Sequence, residues 1–299
     1  MCIIKGAGEN NYMWVIFAIL NPISESVRSL FIKKASQQTE PIILTWANNL
    51  IPVLLFPVVM WLTGTEIKSN IHFWYGFLCA GVIQITASVL YMQAIANGDI
   101  STVVPMLSFS PLFLLIFGPI IIGEFPNGMG LAGIVLIVAG SYLLNLDLKR
   151  MNLLEPFKSM IKNKGTRLMF IVSILWALSG TFDKISITNS SVIQHITFTN
   201  LLIFIVITTY LLYKKKLIWE IIKGAKGNLA LISGFTTASY FFHYSALALT
   251  LVAYVVALKR MSGMFAVILG AVFLKEANIK QRILGSFIMF IGVLLIVFS

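Results

Sequence analysis

Apolar segments of about 20 residues recur along the whole chain, separated by short polar stretches that contain Gly and Pro. A helix of that length crosses the hydrocarbon core of a bilayer. The pattern predicts ten spans, numbered here 1 to 10 in chain order, at residues 12–35, 41–63, 72–97, 100–122, 128–146, 167–189, 192–213, 228–248, 251–274 and 279–298. We therefore predict an all-α polytopic membrane protein.

Composition supports this class and excludes others. Of the 299 residues, 58% are hydrophobic and 11% are charged, whereas a soluble domain carries about 25% charged residues. Cys2 and Cys79 lie in no metal-ligand or redox motif, so we expect no metal and no cofactor. The net charge of +11 does not indicate a nucleic-acid partner, because basic loops on membrane proteins follow from the positive-inside rule.

The two halves of the chain resemble each other at a constant offset of 152 residues. Glycines and charges fall into register, which chance agreement between apolar sequences does not produce; examples are Gly133 with Gly285, Gly140 with Gly292, and Glu124 with Glu276. Each half has five spans, an odd number, so the halves insert with opposite orientation. The prediction is ten transmembrane helices arranged as two inverted five-helix repeats, with a substrate site at their interface near the midplane.

Charge predicts the orientation of the chain. Sixteen of the 22 lysines and arginines lie in the loops after spans 1, 3, 5, 7 and 9, and only Lys5 and Lys68 lie on the other side. This bias places the odd-numbered loops in the cytoplasm and both termini outside. We expect the bilayer to be the plasma, or inner, membrane. Residues 147–166 form a cytoplasmic linker that is either an interfacial helix or a plain solvated segment; as a helix it would carry Leu148, Met151, Leu154, Phe157 and Ile161 on one apolar face.

Two stretches carry a resemblance to a known family. They are "AIANGDISTVVPMLSFSPLFLLIFGPIIIGEFPNGMGLAGIVLIVAG" in the first half and "ALALTLVAYVVALKRMSGMFAVILGAVFLKEANIKQRILGSFIMFIGVLLIV" in the second. Both resemble the repeat signature of EamA-type members of the drug/metabolite transporter superfamily. The resemblance implies EamA-like repeats at 1–146 and 167–299, an alternating-access carrier, and a cavity lined by spans 1, 3, 4, 6, 8 and 9. It names no substrate.

Charged side chains inside the spans are the strongest functional signal. Each costs about 2.5–3.5 kcal/mol at the bilayer centre unless something compensates for it. Away from the span ends they are Glu25 and Arg28 in span 1, Asp183 and Lys184 in span 6, and Lys259 and Arg260 in span 9. If the two carboxylates neutralise two cations, two positive charges remain, which favours an anionic solute. The alternative is that these charges pair and only set helix packing.

The adjacent cations of span 9 suit an anion particularly well. Arg binds phosphate or carboxylate with a planar fork of donors, and Lys adds a point charge. The pair Lys259-Arg260 also resembles the pair that plant-type sugar-phosphate translocators of this superfamily use on phosphate. Adjacent helical residues point about 100° apart, so both reach one cavity only if the cavity wraps around that helix edge.

Matched polar stripes predict two cavity walls. Gln84, Ser88 and Tyr91 share one face of span 3, and their counterparts at the 152-residue offset are Thr236, Tyr240 and His243 in span 8. His243 could carry a coupling proton, bind the substrate, or bond to a neighbouring helix.

Other features favour structure over chemistry. Pro105, Pro111 and Pro119 predict bends in span 4. Glu124 and Glu276, at the ends of spans 4 and 9, are expected to anchor helix ends.

The sequence thus predicts a secondary transporter for a small polar, anionic metabolite that works by alternating access. A proton-coupled exporter of amino acids or amphipathic drugs stays open as an alternative, using Glu25, Asp183 or His243. An intramembrane enzyme acting on lipid-linked substrates is disfavoured, because the three histidines form no metal-spaced pair, and no catalytic residue is predicted. The expected partners are a small-molecule substrate and the lipid bilayer. Monomer and homodimer both remain open.

Overall fold

The structure, a computed structural model, describes residues 12–35, 40–98, 100–146, 152–214, 218–265 and 279–299, and all regular structure within these ranges is helical. The first half contains α1 (Met13–Ala35), α2 (Pro41–Asn48), α3 (Leu50–Leu62), α4 (Ile71–Ala96), α5 (Ile100–Val103), α6 (Ser110–Phe117) and α7 (Gly128–Asn145). The second half contains α8 (Glu155–Lys162), α9 (Lys164–Thr188), α10 (Val192–Tyr213), α11 (Ile218–Leu249), α12 (Val252–Lys259) and α13 (Ile279–Val297).

The all-helical membrane fold is confirmed, whereas the count of ten spans is not reproduced as predicted. Among the described residues, seven helical stretches are long and apolar enough to cross a membrane, and they correspond to spans 1 to 7. Spans 8, 9 and 10 contain α11, α12 and α13. Polar side chains lower the hydropathy of α11, residues 266–274 of span 9 lie outside the described ranges, and the apolar part of α13 is only Ile283–Val297.

Span 4 is broken, as its prolines predict. A 3₁₀ segment (Val104–Phe109) precedes α6 and a π-helical segment (Gly118–Ile122) follows it. Proline removes a backbone donor and crowds the preceding turn, so regular α-helical bonding cannot run through the span. Gly123 then ends the π segment with φ of +69°, a left-handed conformation that glycine adopts without strain, and the chain turns into Glu124.

The most extensive helix–helix contacts cross between the two repeats and pair α1 with α11, α4 with α9, and α7 with α13. Each pair is antiparallel. In the first, Asn21 lies beside Ser239, and Phe31, further along α1, stacks on Phe235, which is earlier in α11. At the 152-residue offset the pair α1–α11 corresponds to the pair α9–α4, and α7 pairs with its own counterpart α13, as a two-fold relation between inverted repeats requires.

Glycines allow the backbones of α7 and α13 to touch. A Cβ atom on Gly140 would lie 2.5 Å from the carbonyl oxygen of Gly285, and one on Gly133 would lie 2.6 Å from that of Gly292. The reciprocal distances are 2.7 Å and 2.6 Å, so the crossing is two-fold symmetric. This explains why these four glycines recur at one offset in the sequence.

We expect Gly140→Ala to destabilise the protein by about 1–3 kcal/mol, because the added methyl group forces two backbones apart. Gly234→Ala in α11 is the matched control, since a Cβ there meets nothing within 4 Å, and alanine is the better helix former. The measurement is the apparent Tm of the purified proteins. Equal Tm values for the two variants would contradict close packing at the crossing.

The predicted linker contains α8. Its Phe157 packs against Phe109 and Tyr142, while Leu154 and Ile161 are exposed. These exposed apolar side chains favour the interfacial helix over the solvated segment. The remaining apolar residues predicted for this face, Leu148 and Met151, lie outside the described residues, so the placement on the bilayer stays a prediction.

Candidate functional site

Span 9 is interrupted at its two adjacent cations. Helix α12 ends at Lys259, Arg260 and Met261 form a turn, and helical backbone resumes at residues 262–265. In this turn Arg260 N donates to Ala257 O at 2.9 Å, a tighter pattern than an α-helix has. The break lies 152 residues after the 3₁₀ segment of span 4, so both repeats carry one. Interrupted helices at corresponding positions of two repeats are typical of transporter binding sites.

The break brings the cations to the two charges of α1. Glu25 and Arg28 form a salt bridge, and each side chain is 17% exposed. Lys259 and Arg260 lie within electrostatic range of the Glu25 carboxylate. We call Glu25, Arg28, Lys259 and Arg260 the central charge cluster. It holds three cations and one carboxylate, and it joins a helix of each repeat.

Hydrogen bonds from α11 fix the carboxylate of this cluster. Ser239 Oγ donates to Glu25 Oε2 at 2.9 Å, and Asn21 Nδ2 donates to Ser239 Oγ at 2.9 Å and to its carbonyl oxygen at 2.9 Å. The carboxylate is thus oriented by its neighbours, which keeps Arg28 paired. In the part of the chain that the structure describes, Lys259 and Arg260 form no salt bridge within 4 Å.

Three buried donors near the cluster have no acceptor among the described residues. They are Nε of Arg28, Nε of Arg260 and the indole Nε1 of Trp176. Trp176 stacks on Tyr91 at 5.6 Å, and Tyr91 lies within electrostatic range of Arg28 and Arg260. Buried polar groups normally have partners, so orphaned donors mark a place for an oxygen-rich ligand or for water.

Some residues of the two polar stripes lie near the central charge cluster, and others form hydrogen bonds within or between helices. Tyr240 lies within electrostatic range of Glu25 and Arg28, and His243 within that of Lys259 and Arg260. Together with Tyr91, these residues lie within electrostatic range of the cluster.

Two other stripe residues, Thr236 and Ser88, form hydrogen bonds with helix residues, and the role of the Gln84 side chain stays a prediction. Thr236 donates to Asn48 Oδ1 at 3.2 Å and to Ile232 O, joining α11 to α2, and Ser88 donates to the carbonyl oxygen of Gln84.

Lys184 lies in a separate structural clamp. Its Nζ donates to the carbonyl oxygens of Leu247 at 2.6 Å and Thr250 at 2.8 Å, and lies 3.3 Å from Glu124 Oε1. Glu124 Oε2 accepts from the backbone N–H of Val252 at 3.0 Å. Lys184 thus donates to carbonyl oxygens at the end of α11, and Glu124 caps the start of α12. Glu124 is an anchor, as predicted; Glu276 lies outside the described residues.

Asp183 faces a histidine that the sequence reasoning missed. His195 in α10 is 0% exposed, with Nε2 3.3 Å from Asp183 Oδ1 and Nδ1 2.9 Å from Ser186 Oγ. A hairpin signal was available: α9 and α10 are joined by a three-residue turn, so residues a few positions from it on either side face each other. Ser239, Asn21 and Trp176 were also missed, because neutral side chains in apolar segments carry no distinctive signal.

Comparison with known proteins identifies the family. The EamA-like transporter family model matches residues 12–146 and 163–298, so the chain belongs to that family. It is a transporter rather than an enzyme, and an integral membrane protein.

One curated relative is described as "Uncharacterized transporter in cobO 3'region", from Sinorhizobium sp. It is 24% identical over 136 residues, which cover 44% of this chain and 95% of the relative. A solved crystal structure superposes with a TM-score of 0.77 at 11% identity, covering 96% of this chain and 97% of the other. That likeness supports the fold alone.

Proposed function

We propose that this transporter moves a small polar metabolite with an anionic group, such as a phosphate or a carboxylate, bound at the central charge cluster. The observation that carries the proposal is charge without a partner. Lys259 and Arg260 have no salt bridge among the described residues, and Arg260 Nε, Arg28 Nε and Trp176 Nε1 are buried donors without acceptors. An anionic oxygen-rich group would supply both the missing charge and the missing acceptors.

The proposed mechanism is alternating access. The cluster lies where α1 of one repeat meets α12 of the other, beside a break in span 9 that matches the break in span 4. Rocking of the inverted halves about the pairs α1–α11 and α4–α9 would open the cluster to one side and then to the other. From the charge bias we further propose that both termini are outside and that the membrane is the plasma membrane.

The test is thermal stabilisation of the purified protein by a metabolite library. We expect phosphorylated or carboxylated compounds to raise the apparent Tm, since a ligand at a hundredfold excess over its Kd stabilises by about 2.7 kcal/mol. The variant Lys259→Gln/Arg260→Gln should lose this response. The control Lys158→Gln/Lys162→Gln removes two exposed lysines of α8 and should keep it.

Hits that are cationic or neutral, and that survive the loss of both cations, would overturn the anionic substrate. They would support an exporter of amino acids or amphipathic drugs, with Lys259 and Arg260 serving helix packing.

A further inference from the structure

A second buried polar group lies beside the central charge cluster and takes no part in the proposed anion site. Asp183 in α9 and His195 in α10 face each other, with His195 Nε2 3.3 Å from Asp183 Oδ1. Ser186 Oγ lies 2.9 Å from the other ring nitrogen, Nδ1, and the ring of Tyr244 packs edge-on at 4.7 Å. Nδ1 thus has Ser186 as a hydrogen-bond partner, whereas Nε2 has Asp183 within ion-pair distance and no hydrogen-bond partner among the described residues.

The two members of the pair differ in burial. His195 is wholly buried, whereas the Asp183 side chain keeps 11% of its surface exposed. The carboxylate is thus the outer member, through which a proton can reach the imidazole behind it. Imidazole is the side chain whose charge changes most readily near neutral pH, and a facing carboxylate stabilises its charged form.

The pair also lies within electrostatic range of charged residues at the anion site. Lys259 lies within electrostatic range of Asp183, and His243, which adjoins Lys259 and Arg260, lies within range of His195. Among the described residues, Tyr244 in α11 also faces the pair, and Lys184 is the neighbour of Asp183 in α9. Lys184 points away to Glu124, so it does not neutralise Asp183.

We propose that Asp183 and His195 form a proton-binding site whose occupancy is coupled to the anion site, so that this carrier takes up a proton together with its anion. The coupling part rests on the function proposed above. A proton on the pair adds one positive charge near Lys259 and strengthens anion binding, and a bound anion favours the proton in return, because coupling between two sites is reciprocal.

The charge balance of the protein interior supports the uptake of a proton together with the anion. The described interior holds the cations Arg28, Lys184, Lys259 and Arg260, and the carboxylates Glu25, Glu124 and Asp183. With neutral histidines one net positive charge remains, and a proton on His195 raises it to two. An anion with one negative charge and a proton that bind together leave the interior charge unchanged, so loading adds no net charge to the membrane interior.

The experiment follows the protonation of His195 directly and needs no substrate. Full-length protein labelled with [¹⁵N]histidine gives signals for His72, His195 and His243, and His195 is assigned by the signal that His195→Gln lacks. We expect the parent signal to change from the neutral to the charged form as the pH is lowered. In Asp183→Asn we expect the charged fraction at about pH 6 to fall at least tenfold, roughly the effect of losing a facing carboxylate.

The coupling between the proton site and the anion site is tested with the variant that lacks both cations of span 9. Lys259→Gln/Arg260→Gln removes the same charges that a bound anion would neutralise, so the charged fraction of His195 at about pH 7 should rise at least threefold, a modest effect for charges at this range. Lys158→Gln/Lys162→Gln should leave it unchanged.

A His195 signal that stays neutral down to pH 5, or that ignores Asp183→Asn, would overturn the proton site and reduce the pair to a packing contact. A His195 signal that changes with pH but is the same in the parent and in Lys259→Gln/Arg260→Gln would overturn the coupling. Failure of the anion proposal shows separately, as a library screen without anionic hits. A purely structural pair would lower the apparent Tm on substitution without giving any pH-dependent signal of its own.

Discussion

Replacing Glu25 with glutamine is expected to destabilise the empty protein by about 3 kcal/mol, the lower end of the cost of breaking a buried ion pair. The lower end applies because both partners keep 17% of their side-chain surface exposed. Without the carboxylate, Arg28 loses its ion pair, and Lys259 and Arg260 lose the one carboxylate of their cluster. Glutamine keeps the shape and can still accept from Ser239, so the loss reports charge rather than packing.

The same variant should respond more strongly to an anion. A bound phosphate or carboxylate would replace the missing negative charge, so the anionic hits of the library should raise the apparent Tm of Glu25→Gln more than that of the parent. Glu66→Gln, which removes an exposed carboxylate from a loop, is the control and should behave like the parent. An unchanged Tm together with an unchanged anion response would contradict a counter-ion role for Glu25.

The broad fold could be predicted because the membrane leaves few alternatives. A bilayer requires long apolar helices, and a constant offset of glycines and charges reveals the repeat. The crossing of α7 with α13 shows why the offset was informative: Gly133, Gly140, Gly285 and Gly292 each meet a backbone oxygen of the other helix. The exact span count was harder, because α11 carries enough hydroxyl and imidazole groups to fall below the hydropathy of a typical span.

Of the two helix breaks, the one in span 4 could be predicted from the sequence and the one in span 9 could not. Pro105 and Pro111 mark the interruption of span 4, since proline cannot continue the hydrogen-bond ladder. Span 9 has no proline, and its break at Lys259 to Met261 leaves no local signal beyond its equivalence to span 4. A break of this kind depends on contacts with the surrounding helices, which the local sequence does not reveal.

Intramembrane charges indicated candidate residues for the site, but not which of them pair. Asp183 and Lys184 are neighbours in sequence, yet one faces His195 and the other Glu124. Adjacent positions on a helix point about 100° apart, so neighbouring charges serve different partners. The pairing of Lys184 with Glu124 depends on the meeting of spans 4, 6 and 8, which sequence spacing does not encode.

That clamp should carry the largest stability effect in the molecule. Lys184→Met removes the ammonium group but keeps most of the apolar stem, and it leaves Glu124 and two carbonyl oxygens without their shared donor. Removing one partner of a buried pair costs about 3–5 kcal/mol. We expect a matching fall in apparent Tm, whereas the control Lys162→Met at the exposed end of α8 should change it little.

A double-mutant cycle separates the ion pair from the carbonyl bonds. Glu124→Gln can still accept from Val252 N–H, so on its own it should cost less than Lys184→Met. If the charges interact, Lys184→Met/Glu124→Gln should be more stable than the sum of the single changes predicts, because no unpaired carboxylate stays buried. Strict additivity would show that Lys184 acts only through Leu247 and Thr250. In that case Glu124 acts mainly as the acceptor for Val252 N–H at the start of α12.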